Sequence, residues 1–76
     1  MNLEQLRDIV VEATGCETEK VTLEATLSED LGIDSLASVE LVMALEEATG
    51  ISIEDGEMAK LKTIGDILNY ITAHQN

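Results

Sequence analysis

Apolar residues recur with a helical period at the start of the chain. Their spacing of three and four residues runs through Leu3, Leu6, Ile9, Val10 and Ala13. Asn2 and Gln5 stand three residues apart, as the two partners of a capping box do, and Gly15 supplies a C-terminal stop. The pattern predicts a first helix between Asn2 and Gly15.

The same period returns near the C-terminus. The apolar positions at i, i+3, i+4 and i+7 are Ile64, Ile67, Leu68 and Ile71. Thr63 and Asp66 form a second capping-box pattern just before them. We therefore predict a helix that starts after Thr63 and frays over its last three residues, His74, Gln75 and Asn76.

Residues 16–34 show no sustained period and are rich in Thr, Glu and Asp. They predict a long connection with one short turn over residues 27–31. Five apolar side chains are expected to hold this connection on the core: Val21, Leu23, Leu27, Leu31 and Ile33. A loop of this length is uncommon in a compact domain and is often functional.

Helical periodicity resumes between Ser35 and Thr49 and ends at Gly50. Residues 51–53 alternate as in a short extended link, and residues 54–61, with Gly56 among them, predict a brief and poor helix. The whole chain, residues 1–76, is thus expected to form one all-α domain. Its architecture is a four-helix bundle with three main helices, a short third helix and a long first loop.

The helix after Ser35 has apolar residues on two arcs rather than one. At about 100° per residue, one arc is an ordinary core face: Ser38, Leu41, Val42, Leu45 and Ala48. The other arc combines apolar and acidic side chains: Leu36, Val39, Glu40, Met43, Glu46 and Glu47. Apolar residues surrounded by carboxylates are typical of a docking surface. The alternative is that Leu36 and Val39 pack beneath the long loop.

The formal net charge of −12 narrows the classes of partner. It argues against nucleic acid, which requires a basic footprint, and against an anionic membrane surface. Between Lys20 and Lys60 every charged residue is acidic. Scattered acids serve solubility, whereas an unbroken acidic stretch centred on one helix favours a basic protein partner.

Cysteine usage and hydropathy bear on the compartment. Cys16 is the single cysteine of the chain, so no disulfide can form within it. No stretch approaches the ~18 consecutive apolar residues of a membrane-spanning helix, and no signal-like apolar run is present. These features favour a reducing compartment, most simply the cytoplasm. We expect a monomer without membrane insertion.

Ser35 follows Asp34 at the predicted start of the second main helix. As a helix cap it would be redundant, because Asp34 can fill that role. As a nucleophile it lacks both a Gly-x-Ser-x-Gly elbow and a neighbouring base. An EF-hand loop from Asp30 fails, because Leu41 stands where the bidentate Glu is needed. As an acceptor of a phosphate-linked group it fits the chemistry of a helix N-terminus.

These residues carry a resemblance to a known family. The segment DLGIDSLASVELVMALEE resembles the modification site and recognition helix of acyl carrier proteins, and MAKLKTIGDILNYITAHQ resembles their third and fourth helices. The resemblance implies that Ser35, flanked by Asp34 and Leu36, is esterified with 4′-phosphopantetheine from coenzyme A by a phosphopantetheinyl transferase. The arm's thiol would carry growing acyl chains as thioesters between enzymes of fatty-acid synthesis. The chain itself would perform no catalysis and bind no metal.

The resemblance also implies a surface for partner enzymes that present basic docking patches. The matching positions are Leu36, Val39, Glu40, Met43, Glu46, Glu47 and Ile53. The chain departs from the family at Ala37, where an acid is common, and at Glu54, where proline is usual before the third helix. A specialised polyketide carrier is the first alternative, and an acidic helical adaptor that is never modified is the second.

Overall fold

A computed structural model describes residues 1–74, except for the side chain of Asp55. Its α-helices are α1 (Leu3–Thr14), α2 (Ser35–Thr49), α3 (Asp55–Met58) and α4 (Ile64–His74). This confirms the predicted all-α fold and the order of its helices. No helix within residues 1–74 has the length and apolar character needed to cross a membrane. A 3₁₀ helix over Thr18–Lys20 was not predicted, because one turn leaves no periodic signal.

Local capping sets both ends of α1. The Asn2 side chain accepts a hydrogen bond from the Gln5 amide at 2.9 Å, and the Gln5 side chain accepts one from the Asn2 amide at 3.1 Å. Gly15 ends the helix with φ 75°, and its amide donates to the Val11 carbonyl at 2.8 Å. Left-handed backbone of this kind favours glycine. The capping box and the glycine stop are therefore confirmed.

The core lies between α1, α2 and α4. Leu6 and Val10 of α1 and Leu41 and Leu45 of α2 are fully buried, and α1 packs against α2. Ala48 was assigned to this core face but is exposed. That assignment is wrong because the core follows the i, i+4 pair Leu41 and Leu45, and the last turn of α2 extends beyond it. Each fully buried leucine contributes about 1.5–3 kcal/mol relative to an exposed position.

Main-chain hydrogen bonds attach the first loop to the start of α4. The Leu27 amide donates to the Lys62 carbonyl at 2.9 Å, and the Ile64 amide donates to the Ala25 carbonyl at 3.1 Å. Between these bonds, Thr26 and Thr63 form an isolated antiparallel bridge. This junction explains how a long loop without periodic apolar positions remains ordered, since its backbone groups are paired.

The side chains of the loop follow the prediction with one exception. Val21, Leu27 and Ile33 are buried and Leu31 is half-buried, as expected. Leu23, however, is 43% exposed. Its contribution comes from the backbone instead, because its carbonyl accepts a hydrogen bond from the Gly65 amide at 2.9 Å.

The predicted capping box of α4 is confirmed. The Asp66 amide donates to the Thr63 hydroxyl at 3.1 Å, and the Asp66 carboxylate accepts from the Thr63 amide at 3.2 Å. The helix continues through His74, whose ring stacks on Tyr70 with centroids 4.1 Å apart. The expected fraying at His74 is therefore wrong. Gln75 and Asn76, which share that expectation, lie outside the described residues.

The third helix is shorter than the residues 54–61 that were predicted for it. It spans four residues, Asp55–Met58. The Leu61 amide donates to the Met58 carbonyl at 3.0 Å, so the chain closes a turn and then enters the capping box of α4. A single turn of helix depends on tertiary contacts for its stability, here through the buried Met58.

Candidate functional site

Ser35 is the first residue of α2 and its side chain is exposed. The preceding residue, Asp34, has extended backbone, and its carboxylate accepts a hydrogen bond from the Ala37 amide at 2.8 Å. Asp34 is thus the helix cap, which confirms that the serine is not needed for capping. Within residues 1–74 the Ser35 hydroxyl takes part in no hydrogen bond. It is consequently available for modification from solvent.

The backbone around Ser35 offers unpaired donors. The Ala37 amide is bound by the Asp34 side chain, and the Ser38 amide donates to the Asp34 carbonyl at 2.9 Å. The amides of Ser35 and Leu36 donate to no acceptor in the described part of the chain. Free N–H groups at a helix start carry a positive partial charge and favour an anionic group.

A cleft of about 720 Å³ opens beside Ser35. The first loop, the adjoining side of α2 and the segment from α3 to α4 form its walls. The lining residues are Thr26, Leu27, Ser28, Glu29, Ile33, Ser35, Ser38, Val39, Val42, Met58, Ala59, Leu61 and Lys62. Its volume lies within the range of about 300–1,000 Å³ that is usual for small-molecule sites. The periodic pattern did not predict this cleft, because its walls come from three distant segments.

The second arc of α2 is exposed. Leu36 is 70%, Val39 50% and Met43 63% accessible to solvent. The alternative in which Leu36 and Val39 pack beneath the long loop is therefore wrong. Glu40 and Glu47 are also exposed, and they belong to the same arc of α2. Together these five residues, called here the α2 surface, combine adaptable apolar side chains with negative charge.

Two residues predicted for partner contact take part in the internal structure of the chain. Ile53 is only 4% exposed and belongs to the core. Its contact with partners stays a prediction. Glu46 is half-buried, and its carboxylate accepts a hydrogen bond from the Ile53 amide at 2.8 Å. This bond joins the last turns of α2 to the link before α3. The link's alternation of Ile51, Ser52 and Ile53 was the available signal that both isoleucines face the core.

Comparison with known proteins agrees with this geometry. The family model described as "Phosphopantetheine attachment site" matches residues 4–71. The chain is 42% identical over 74 residues to the "Acyl carrier protein" of Clostridium acetobutylicum, and the match covers 97% of this chain and 96% of that protein. The family's prosthetic group is 4′-phosphopantetheine. The chain belongs to the phosphopantetheine-binding acyl carrier proteins, which are carriers and not enzymes.

Proposed function

We propose that this chain acts as a single carrier domain in fatty-acid synthesis, with 4′-phosphopantetheine esterified to Ser35. The observation that carries the proposal is the exposed hydroxyl of Ser35, which forms no hydrogen bond within the described residues and lines an open cleft. Because Asp34 caps the helix, esterification of Ser35 removes no hydrogen bond on which α2 depends. The cytoplasm is the compartment in which we place this function, consistent with a chain whose one cysteine has no partner for a disulfide within it.

The residues around Ser35 fit a phosphodiester. The amides of Ser35 and Leu36, which donate to no acceptor within residues 1–74, would supply donors for its oxygens. The N-terminus of α2 supplies a favourable partial charge worth roughly 0.3–1 kcal/mol. Asp34 holds the first turn in shape through its bond to the Ala37 amide. Thus Leu36 contributes through its main chain and Asp34 through the geometry of the turn.

When bound, the group supplies a terminal thiol that carries an acyl chain as a thioester. The cleft offers that chain an apolar surface, formed mainly by Leu27, Ile33, Val42, Met58 and Leu61. Apolar surface removed from water contributes about 25 cal/mol per Å². A hydrocarbon chain folded into the cleft is therefore more stable there than in solvent. Met58 is flexible enough to adjust the cleft to chains of different length.

The α2 surface is the proposed site for synthesis enzymes and for the phosphopantetheinyl transferase. Its apolar residues Leu36, Val39 and Met43 follow the attachment serine along α2, and Glu40 and Glu47 add negative charge. Partners with basic patches would be steered to it at long range. Steering with few buried contacts permits rapid exchange, which suits a monomeric carrier that serves several enzymes in turn.

Intact mass spectrometry after incubation with coenzyme A and a phosphopantetheinyl transferase tests the attachment. We expect one phosphopantetheine on the parent chain and none on Ser35→Ala. The matched control is Ser38→Ala, which changes a half-buried serine in the same cleft and should be loaded like the parent. A correctly folded parent that stays unloaded would overturn the proposal in favour of an unmodified acidic adaptor.

The pathway is tested separately with the loaded chain. Purified fatty-acid synthesis enzymes should elongate acyl groups on it at rates comparable to those on a carrier known to serve them. Elongation only by polyketide synthases would retain the carrier function and replace fatty-acid synthesis with the polyketide alternative.

A further inference from the structure

Lys62 lies in the wall of the cleft that opens beside Ser35. We propose that its ammonium group binds the phosphodiester on Ser35 and holds the first part of the arm across the cleft mouth. This inference rests on the proposed function, since it requires the attachment at Ser35. It assigns to this chain a cationic element of the arm's binding site that the helix N-terminus alone does not provide.

The main-chain amide and carbonyl of Lys62 each form a hydrogen bond, and the two partners lie in different elements. Its amide donates to the Asp66 carboxylate of α4 at 3.0 Å, and its carbonyl accepts from the Leu27 amide of the first loop at 2.9 Å. The backbone at residue 62 is thereby fixed at the wall of the cleft, while its side chain is exposed to solvent. A fixed backbone and a flexible four-carbon side chain allow the ammonium group to stay in contact with a phosphate group.

The charges around the cleft make Lys62 distinctive. Among the described residues that line it, Lys62 is the one cation and Glu29 the one anion. Lys60 is engaged with Glu57 at 3.7 Å, and Lys20 with Glu17 at 3.8 Å. Lys62 forms no ion pair among the side chains that the structure describes. Among the described side chains it is therefore a cation without a carboxylate partner, and it lines the same cleft as Ser35, where a negative charge would be added.

Esterification of Ser35 adds a negative charge to a chain whose formal net charge is already −12. Repulsion from Asp34 and Glu29 opposes that charge, and attraction to Lys62 offsets the repulsion. Because the cleft is partly open to water, the attraction between Lys62 and the phosphodiester is modest and is screened by salt over a Debye length of about 8–10 Å. The effect should accordingly appear at low ionic strength and shrink at high ionic strength.

The test compares apo and loaded forms of the parent, Lys62→Gln, Lys62→Arg and Lys60→Gln. Intact mass first establishes that each protein is loaded at Ser35. In dilute buffer, Lys62→Gln should lower the Tm of the loaded form by about 1–4 °C more than that of the apo form. Lys60→Gln should shift both forms equally, because its side chain lies outside the cleft lining and is paired with Glu57. Lys62→Arg should behave like the parent.

Phosphorus NMR supplies a second measurement that does not depend on stability. The phosphodiester resonance should move on Lys62→Gln and stay in place on Lys60→Gln, and the difference should fade in high salt. Suppose that Ser35 is loaded but Lys62→Gln changes neither the Tm difference between loaded and apo forms nor the phosphodiester resonance. The inference is then overturned and the proposed function stands. If the folded parent takes up no phosphopantetheine, both are overturned.

Discussion

Replacing Glu46 with alanine isolates a bond that joins α2 to the link before α3. The Glu46 carboxylate accepts a hydrogen bond from the Ile53 amide at 2.8 Å, seven residues along the chain. Removing the carboxylate leaves that half-buried amide without its acceptor. The position also matters for the core, since the Ile53 side chain is buried against it.

The expected loss follows from three contributions. A hydrogen bond to a charged group is worth about 1.5–3 kcal/mol, and the partial exposure of Glu46 places its bond at the lower end. Alanine recovers a few tenths of a kcal/mol in helix propensity. Removing one negative charge from an acidic chain recovers a similar amount. Glu46→Ala should therefore lower the free energy of unfolding by about 1 kcal/mol, which lowers the Tm by about 4–8 °C.

Glu47→Ala is the matched control. Glu47 is exposed, neighbours Glu46 in the same helix, and undergoes the same change in charge and helix propensity. Surface substitutions of this kind usually alter stability by less than about 0.5 kcal/mol. Urea denaturation followed by circular dichroism measures both variants, and amide hydrogen exchange at Ile53 reports on the bond itself. Equal midpoints for the two variants, with unchanged exchange at Ile53, would refute the reasoning.

Three further predictions concern other parts of the molecule. Met43→Ala should leave the Tm within about 2 °C of the parent but slow loading by the transferase, whereas Leu23→Ala, on an exposed loop residue, should leave the loading rate unchanged. Gly56→Ala should raise the Tm by several degrees, because alanine favours a helix more than glycine does and nothing lies within 4 Å of the added carbon. Gly65→Ala should lower the Tm, because its added carbon would stand 3.0 Å from the Leu23 carbonyl oxygen. Raising the salt concentration from about 20 to 500 mM at neutral pH should raise the Tm by screening the repulsion of a −12 chain, and an unchanged Tm would contradict that view.

Features that depend on nearby residues were predictable from the sequence. Both ends of α1 and α2 and the start of α4 follow from residues within three or four positions of each terminus, such as Asn2 with Gln5 and Thr63 with Asp66. The availability of Ser35 followed in the same way, because Asp34 stands next to it as the better cap.

Features that depend on distant contacts were not predictable. The exposure of Leu23 reflects the use of its carbonyl by the Gly65 amide, which no local pattern encodes. The hydrogen bond from the Ile53 amide to the Glu46 carboxylate, seven residues earlier, depends on where the link returns to the bundle. The cleft beside Ser35 exists only when three separate segments come together.

The attachment of the first loop to α4 through main-chain atoms bears on how the cleft can diversify. Those bonds are made by main-chain groups of Ala25, Leu27, Lys62 and Ile64. Every residue type has these amide and carbonyl groups except proline, which lacks the amide N–H. Ser28 and Glu29 line the cleft. Their side chains can therefore be replaced without breaking the main-chain hydrogen bonds that hold the loop to α4. We therefore expect single substitutions in this stretch to change the shape of the cleft, while the architecture that presents Ser35 stays the same.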